Sequence, residues 1–247
     1  MSICYNIAIM KNKLFGTYFM RFFIRIAVLA FGCILYFRSP DLLDIENFSF
    51  FSSFSITHIF WIFLLASLLF ASFPNTNVSI GALKYRRKYY SPAMFDKNDF
   101  IEFKHKTNKK TIVIAIVWIL FLTPFWTLYF FKIITSRELL ILVLIFALAD
   151  IFCILFFCPF QLFLGNKCCT TCRIFLWDHI FMLSPLIFVP GFFAKSLVIA
   201  AVIFLLIWEI QWNRHPEYFY EKSNANLRCS SCTGKLCLIK KPKGNIN

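Results

Sequence analysis

The chain has 247 residues, of which 60% are hydrophobic and only 15% are charged, and its mean hydropathy is +0.70. Soluble globular domains are about 45–50% apolar and about 25% charged, so this composition excludes an ordinary soluble domain and indicates a membrane protein. The formal net charge of +14 does not indicate nucleic-acid binding. The aromatic residues lie inside the apolar runs and are not interleaved with Lys and Arg, as they are in a base-stacking surface.

Six apolar runs follow one another along the chain, and each is long enough to cross a bilayer as a helix at about 1.5 Å per residue. They do not alternate polar and apolar residues, as barrel strands do, so we predict an all-α bundle of six transmembrane helices. Arg21 and Arg25 interrupt the first run, which we interpret as an uncleaved helix because it lacks a small-residue cleavage site. The predicted spans are residues 15–37, 51–73, 111–131, 139–164, 174–193 and 196–212.

The basic residues predict the orientation of these spans. All but four of the 26 Lys and Arg residues fall on the side that holds both termini, the loop 74–110 and the turn 165–173, if Arg21 and Arg25 are counted there. The positive side of a membrane protein is cytoplasmic, so we predict that both termini are cytoplasmic, in an inner or plasma membrane. The four exceptions are Arg38, Lys132, Arg137 and Lys195.

The predicted spans divide the chain into two parts. Residues 1–164 form a four-helix transmembrane region with the basic loop 74–110. Residues 165–247 form a transmembrane hairpin that is flanked by two cytoplasmic C-x-x-C clusters. The basic loop contains LKYRRKYY, in which Arg86, Arg87 and Lys88 can bind anionic lipid headgroups. The simpler interpretation is that these residues only set the topology.

Six of the ten cysteines form two clusters in polar, basic segments outside the predicted spans. A helical hairpin that leaves the cytoplasm must return to it. The two spans between the clusters therefore bring two C-x-x-C pairs that are distant in sequence to the same face of the membrane. The members are Cys168, Cys169 and Cys172 in CCTTC, and Cys229, Cys232 and Cys237 in CSSCTGKLC.

We predict that one C-x-x-C pair from each cluster binds a single metal ion in a small cytoplasmic site. Four sulfurs at about 2.3 Å suit tetrahedral zinc, and the same set suits mononuclear iron or an iron–sulfur cluster. Basic residues beside both pairs favour the thiolate form. Zinc would act as a structural clip, whereas iron would transfer electrons to a redox or assembly partner on the cytoplasmic side. The predicted ligands are Cys169, Cys172, Cys229 and Cys232, with Cys168 and Cys237 as additional candidates.

The two pairs resemble the knuckles of rubredoxins and zinc ribbons in being C-x-x-C turns. Arg173 and Thr233 follow the second cysteine of each pair, where those families usually place Gly. Two alternatives stay open. One is thiol–disulfide exchange at a single pair in a membrane redox protein, and the other is a transporter or scaffold in which the cysteines are incidental. No motif indicates a reaction or an oligomeric state.

Ionisable residues inside predicted spans are unfavourable in lipid and are therefore candidates for function. Asp150 lies in the fourth span, Asp178 and His179 lie about one turn into the fifth, and Glu209 lies about one turn from the cytoplasmic end of the sixth. We expect the last three at similar depth under the cysteine clusters, where they could pair with each other or with Arg173 and Arg214. There they either orient the metal ligands or form an interfacial polar set that reaches the headgroups. Asp150 would suit a proton relay or a substrate path.

Overall fold

The computed structural model describes residues 13–51, 54–72, 96–160, 172–224 and 227. Within these ranges the regular structure is helical, with no β-strand, and four helices are long and apolar enough to cross a membrane. This architecture is consistent with the predicted helical integral membrane protein. The helices are α1 (Lys13–Arg38), α2 (Ile56–Ser72), α3 (Lys97–Phe130), α4 (Ser136–Leu155), α5 (Asp178–Leu183) and α6 (Phe192–Arg214), and the four long ones are α1, α3, α4 and α6.

Helices α1 and α4 run antiparallel and form the most extensive helix pair. Near one end, the hydroxyl of Tyr36 donates a hydrogen bond of 2.7 Å to Glu138. Gly32 allows the two helices to approach each other, because a Cβ atom at this position would lie 2.9 Å from Leu144 Cδ1. This packing places the middle of α1 against the second half of α4.

Helix α4 begins with a capping box, in which the side chains of Thr135 and Glu138 bond to each other's backbone N–H groups. It ends at Leu155, short of the predicted residue 164. Pro159 explains this end, because it has no N–H to donate to the carbonyl of Leu155 and it disfavours helical geometry in the residue before it.

The fifth predicted span forms three short helical pieces instead of one helix: Ile174–Leu176, α5 and Ser184–Leu186. Pro185 causes part of this break, because it cannot donate an N–H to the carbonyl of Phe181. The hydroxyl of Ser184 donates to that carbonyl instead, at 2.6 Å. The indole of Trp118 in α3 in turn donates to the Ser184 hydroxyl at 3.0 Å. The carbonyl that the break leaves without its helical partner is therefore hydrogen-bonded within the segment, and Trp118 holds this part of the segment against α3.

The main hydrophobic core joins α2, α4 and α6 to the connection after α1. Its fully buried side chains include Phe60 of α2, Leu140 of α4, Phe193 of α6 and Leu43. A hydrogen bond of 2.9 Å from the Trp61 indole to the Ser196 hydroxyl ties α2 to α6.

The segment after α6 folds back onto the first turns of α3, which begins well before the predicted residue 111. The ring of Tyr220 lies 4.6 Å from that of Phe103, and Lys222 Nζ lies 2.5 Å from Asp99 Oδ2. The hydrogen bond to Asp99 raises the pKa of the Lys222 ammonium. We call this end of the bundle, which includes Arg214, the tail end, and the opposite end the far end.

Candidate functional site

Two polar clusters occupy the interior of the helix bundle, and the first joins α1 to α4. Arg25 Nη1 lies 2.6 Å from Asp150 Oδ2, and the same guanidinium donates to the carbonyl of Ala147. The side chains of Arg25 and Asp150 are only 11% and 18% exposed. Because Asp150 lies about 18 Å along α4 from Glu138, this ion pair is well inside the bundle.

Asp178 and His179 at the start of α5 complete the first cluster. Asp178 Oδ1 accepts a hydrogen bond of 2.7 Å from the backbone N–H of His179 and also lies within hydrogen-bond distance of His179 Nδ1. Both side chains are largely buried. The cluster thus holds two carboxylates, one guanidinium and one imidazole, and it is electrically neutral when His179 is protonated.

Two cavities meet at this cluster. One, of about 250 Å³, is walled by aromatic rings around Trp118, whose ring centroid lies 5.0 Å from that of Phe181. The other, of about 370 Å³, lies between α1 and α2. Residues shared by both cavities form the partition between them, and two of these residues are carboxylates. The shared residues are Asp150, Ile154, Phe175 and Asp178.

The second cluster lies at the tail end and is centred on Arg173. Its Nη2 donates to Glu209 Oε2 at 2.6 Å, and the indole of Trp177 donates to Glu209 Oε1 at 2.8 Å. The Arg173 guanidinium also lies over the ring of Trp212, at 4.4 Å from the centroid. Glu209 and Trp212 belong to α6, so these contacts fix the start of the 174–191 segment to the last turns of that helix.

Arg173 is an unusual cation because its side chain is only 4% exposed. One of its three nitrogens is occupied by Glu209, whereas Nε and Nη1 have no hydrogen-bond partner among the described residues. Buried N–H donors of a charged group are normally satisfied. Within the part of the chain that the structure describes, Nε and Nη1 are therefore the unsatisfied donors of Arg173.

The tail that follows α6 packs on the same helix turns. The ring of Phe219 lies 5.2 Å from that of Trp212, and the Trp212 indole donates to Asn108 of α3 at 3.0 Å. Farther along the tail, Leu227 is also buried. The described chain thus brings residue 173, which follows Cys172, and the tail that leads to Cys229 to one end of the bundle.

Among the predicted metal ligands, Cys172 is described, and it is buried beside the 250 Å³ cavity. Cys153 and Cys158, which have no place in the predicted site, border the same cavity. Within the described residues, no group of three or more His, Cys, Asp and Glu side chains is placed to hold a metal ion. The other predicted contact residues lie outside the described ranges: Cys168, Cys169, Cys229, Cys232, Cys237, Arg86, Arg87 and Lys88.

Of the pairings that the sequence left open for Glu209, the structure shows the one with Arg173. Glu209 bonds to Arg173 and Trp177, not to Asp178 or His179. Asp178 instead borders the cavities that Asp150 borders, and Asp150 is paired with Arg25. Equal depth along antiparallel helices does not determine which faces meet, because that depends on how each helix is rotated about its axis. The sequence did contain one signal for the pairing of Arg25 with Asp150, because these two oppositely charged residues each interrupt a separate apolar run.

Comparison of the chain with protein-family models, with curated proteins and with solved structures finds no match.

Proposed function

We propose that this chain is a six-span integral membrane protein of an inner or plasma membrane that holds one metal ion in a thiolate site on its cytoplasmic surface. Both termini and the tail end are on the cytoplasmic side. The pair between Arg173 and Glu209 is the observation that carries the proposal. It attaches the residue after the first C-x-x-C pair to the part of α6 on which the tail also packs. The ligands are Cys169, Cys172, Cys229 and Cys232.

The fifth crossing in this topology is supported by the two ends of the 174–191 segment. At the tail end, Arg173 contacts Glu209. At the far end, the backbone of Gly191 lies against Glu46, in the connection that follows α1. The segment therefore covers the length of the bundle although it is broken into short pieces. For the second crossing, α2 is about 26 Å long, close to the thickness of the hydrocarbon layer, and small mismatches are tolerated.

The Nε and Nη1 atoms of Arg173, which have no partner among the described residues, suit a site that contains thiolates. A buried cation beside cysteines favours their ionised form, which is the form that binds metal. Zinc in this site would clip the tail to the hairpin, and iron would carry electrons along the membrane surface. The transporter alternative has less support, because Arg25 already compensates the charge of Asp150.

The test is the metal content of protein that is purified without an affinity tag and without added metal. We expect about one zinc or iron per chain, and loss of that metal when any one of the four ligand cysteines is changed to Ser. Cys4→Ser and Cys33→Ser are the controls and should retain it. Visible absorption distinguishes the two metals, because iron thiolates are coloured and zinc thiolates are not.

Two results would contradict the proposal. One is wild-type protein that contains no stoichiometric metal. The other is equal metal retention in Cys169→Ser and Cys33→Ser. In either case, thiol exchange or incidental cysteines would be the better interpretation of the clusters.

A further inference from the structure

The 370 Å³ cavity is a cleft between α1 and α2, which we call the α1–α2 cleft. Its walls include Arg21 and Arg25 of α1, Phe63 and Phe70 of α2, and Asp150 and His179 of the first polar cluster. It combines charged side chains with an apolar rim inside a predicted membrane region. None of the roles proposed above for the cysteine clusters uses this cleft.

The cleft forms because α1 and α2 pack against different helices. The two helices meet where the ring of Phe31 stacks on that of Phe60, with centroids 6.0 Å apart. Helix α1 packs mainly on α4, whereas α2 packs on α6. The residues of α1 and α2 that line the cleft all lie on the tail-end side of the contact between Phe31 and Phe60.

The charged side chains that line the cleft differ in whether they have a direct partner. Arg25 is paired with Asp150, and His179 contacts Asp178. Arg21 lies over the ring of Tyr18, at 5.3 Å from its centroid, and makes no ion pair with any described residue. The Arg21 guanidinium therefore provides a positive charge in the cleft that has no direct carboxylate partner among the described residues.

The rim of the cleft is apolar and faces outward. Met20 and Ile24 of α1 are 58% and 45% exposed, and Phe70 of α2 is 55% exposed. In a bilayer these side chains contact acyl chains. An occupant that matches the whole cleft must have an anionic group for Arg21 and a hydrocarbon part for the rim. Basic pockets between transmembrane helices are known sites for anionic lipid headgroups.

We propose that the α1–α2 cleft binds one anionic membrane phospholipid, with its phosphate at Arg21 and an acyl chain along Met20, Ile24 and Phe70. The positive charge of Arg21, which has no direct carboxylate partner among the described residues, selects an anionic lipid over a zwitterionic one. Arg25 does not compete for the phosphate, because it is already paired with Asp150. The site is independent of the metal, so it holds whether or not the cysteine clusters bind one.

The experiment uses the full chain in detergent, titrated with phosphatidylglycerol or phosphatidylcholine of matched chain length, with bound lipid counted by native mass spectrometry. We expect one phosphatidylglycerol per chain, bound about tenfold more tightly than phosphatidylcholine, as one charge-assisted hydrogen bond predicts. Arg21→Gln should remove this preference. Arg21→Lys should retain most of it because the charge is kept, and Arg38→Gln, at the far end of α1, should retain all of it.

A second variant tests the cleft without changing its charge. Ala66→Phe adds bulk to the α2 wall of the cleft and should lower the binding of phosphatidylglycerol while Arg21 is intact. Glycerol 3-phosphate, which has the phosphate but no acyl chains, should not compete at concentrations that saturate the lipid.

Three outcomes would overturn the proposal. The first is wild-type protein that does not distinguish the two lipids. The second is Arg38→Gln with the same loss of preference as Arg21→Gln. The third is full competition by glycerol 3-phosphate, which would assign the cleft to a soluble phosphate compound.

Discussion

Arg25 and Asp150 form an ion pair across α1 and α4, with 2.6 Å between Nη1 and Oδ2. Each residue alone interrupts an apolar run, and each would be unfavourable in lipid without the other. Together they satisfy both charges, and the guanidinium also satisfies the carbonyl of Ala147. The pair therefore fixes the register of the most extensive helix contact in the bundle.

Replacing one member of this pair should lower the free energy of unfolding more than replacing both members with apolar residues does. Arg25→Gln leaves the Asp150 carboxylate buried without its counter-ion and should lower the free energy of unfolding by about 3–5 kcal/mol. The double variant Arg25→Met with Asp150→Leu should cost less than the sum of the two single changes. Unfolding by dodecyl sulfate of the detergent-solubilised protein measures all four variants: Arg25→Gln, the two single changes of the double variant, and the double variant itself. Strict additivity would show that the two side chains do not interact.

Gly191 should tolerate no side chain. Its φ is +96°, and a Cβ atom there would lie 2.5 Å from the carbonyl oxygen of Glu46. Gly191→Ala should therefore destabilise the protein by at least about 1–3 kcal/mol, the usual range for backbone strain, with the clash in addition. Gly16→Ala is the control, because nothing lies within 4 Å of a Cβ atom there. It should be neutral or stabilise α1 by up to about 1 kcal/mol. Thermal unfolding in detergent compares the two, and equal effects would be evidence against this geometry.

Reporter fusions test the proposed topology. A fusion after Asn77 and one at the carboxyl terminus should both report the cytoplasm, whereas a fusion near Asp44 should report the outside. The reason is that all but four of the basic residues lie on the side of the first two fusion points. An external signal from the carboxyl terminus would rule out the six-span topology, and with it the cytoplasmic position of the cysteine clusters.

Glu209 should matter for the proposed metal site, whereas Asp150 should not. Glu209→Gln removes the charge that compensates the buried Arg173 and weakens the attachment of residue 173 to α6. We expect this variant to lose metal faster in the presence of a mild chelator than wild-type protein does. Asp150→Asn changes the other polar cluster and is the matched control. If both variants release metal at the wild-type rate, Glu209 has no role in positioning the ligands.

The helical class of the protein could be predicted from hydropathy, because a long apolar segment in lipid must satisfy its own backbone hydrogen bonds. The predicted runs at 15–37 and 196–212 correspond closely to α1 and α6. The prediction was less accurate where proline interrupts a run. Pro159 ends α4 early, and Pro185 divides the fifth span, because proline removes a backbone donor without lowering the hydropathy of the segment.

The residue types at the candidate sites were evident from sequence, and so was Arg173 as one possible partner of Glu209, but the other partners were not. Asp150, Asp178, His179 and Glu209 were recognised as unfavourable charges in apolar segments, which follows from solvation of each residue alone. Tertiary structure decided that Arg25 is the partner of Asp150 and that Arg173, rather than Asp178 or His179, is the partner of Glu209. It also left Arg21 without a direct carboxylate partner among the described residues. The unfavourable solvation of a charged residue can be read from its own segment. Its pairing depends on the rotation and register of two packed helices, and the hydropathy of one segment carries no information about either.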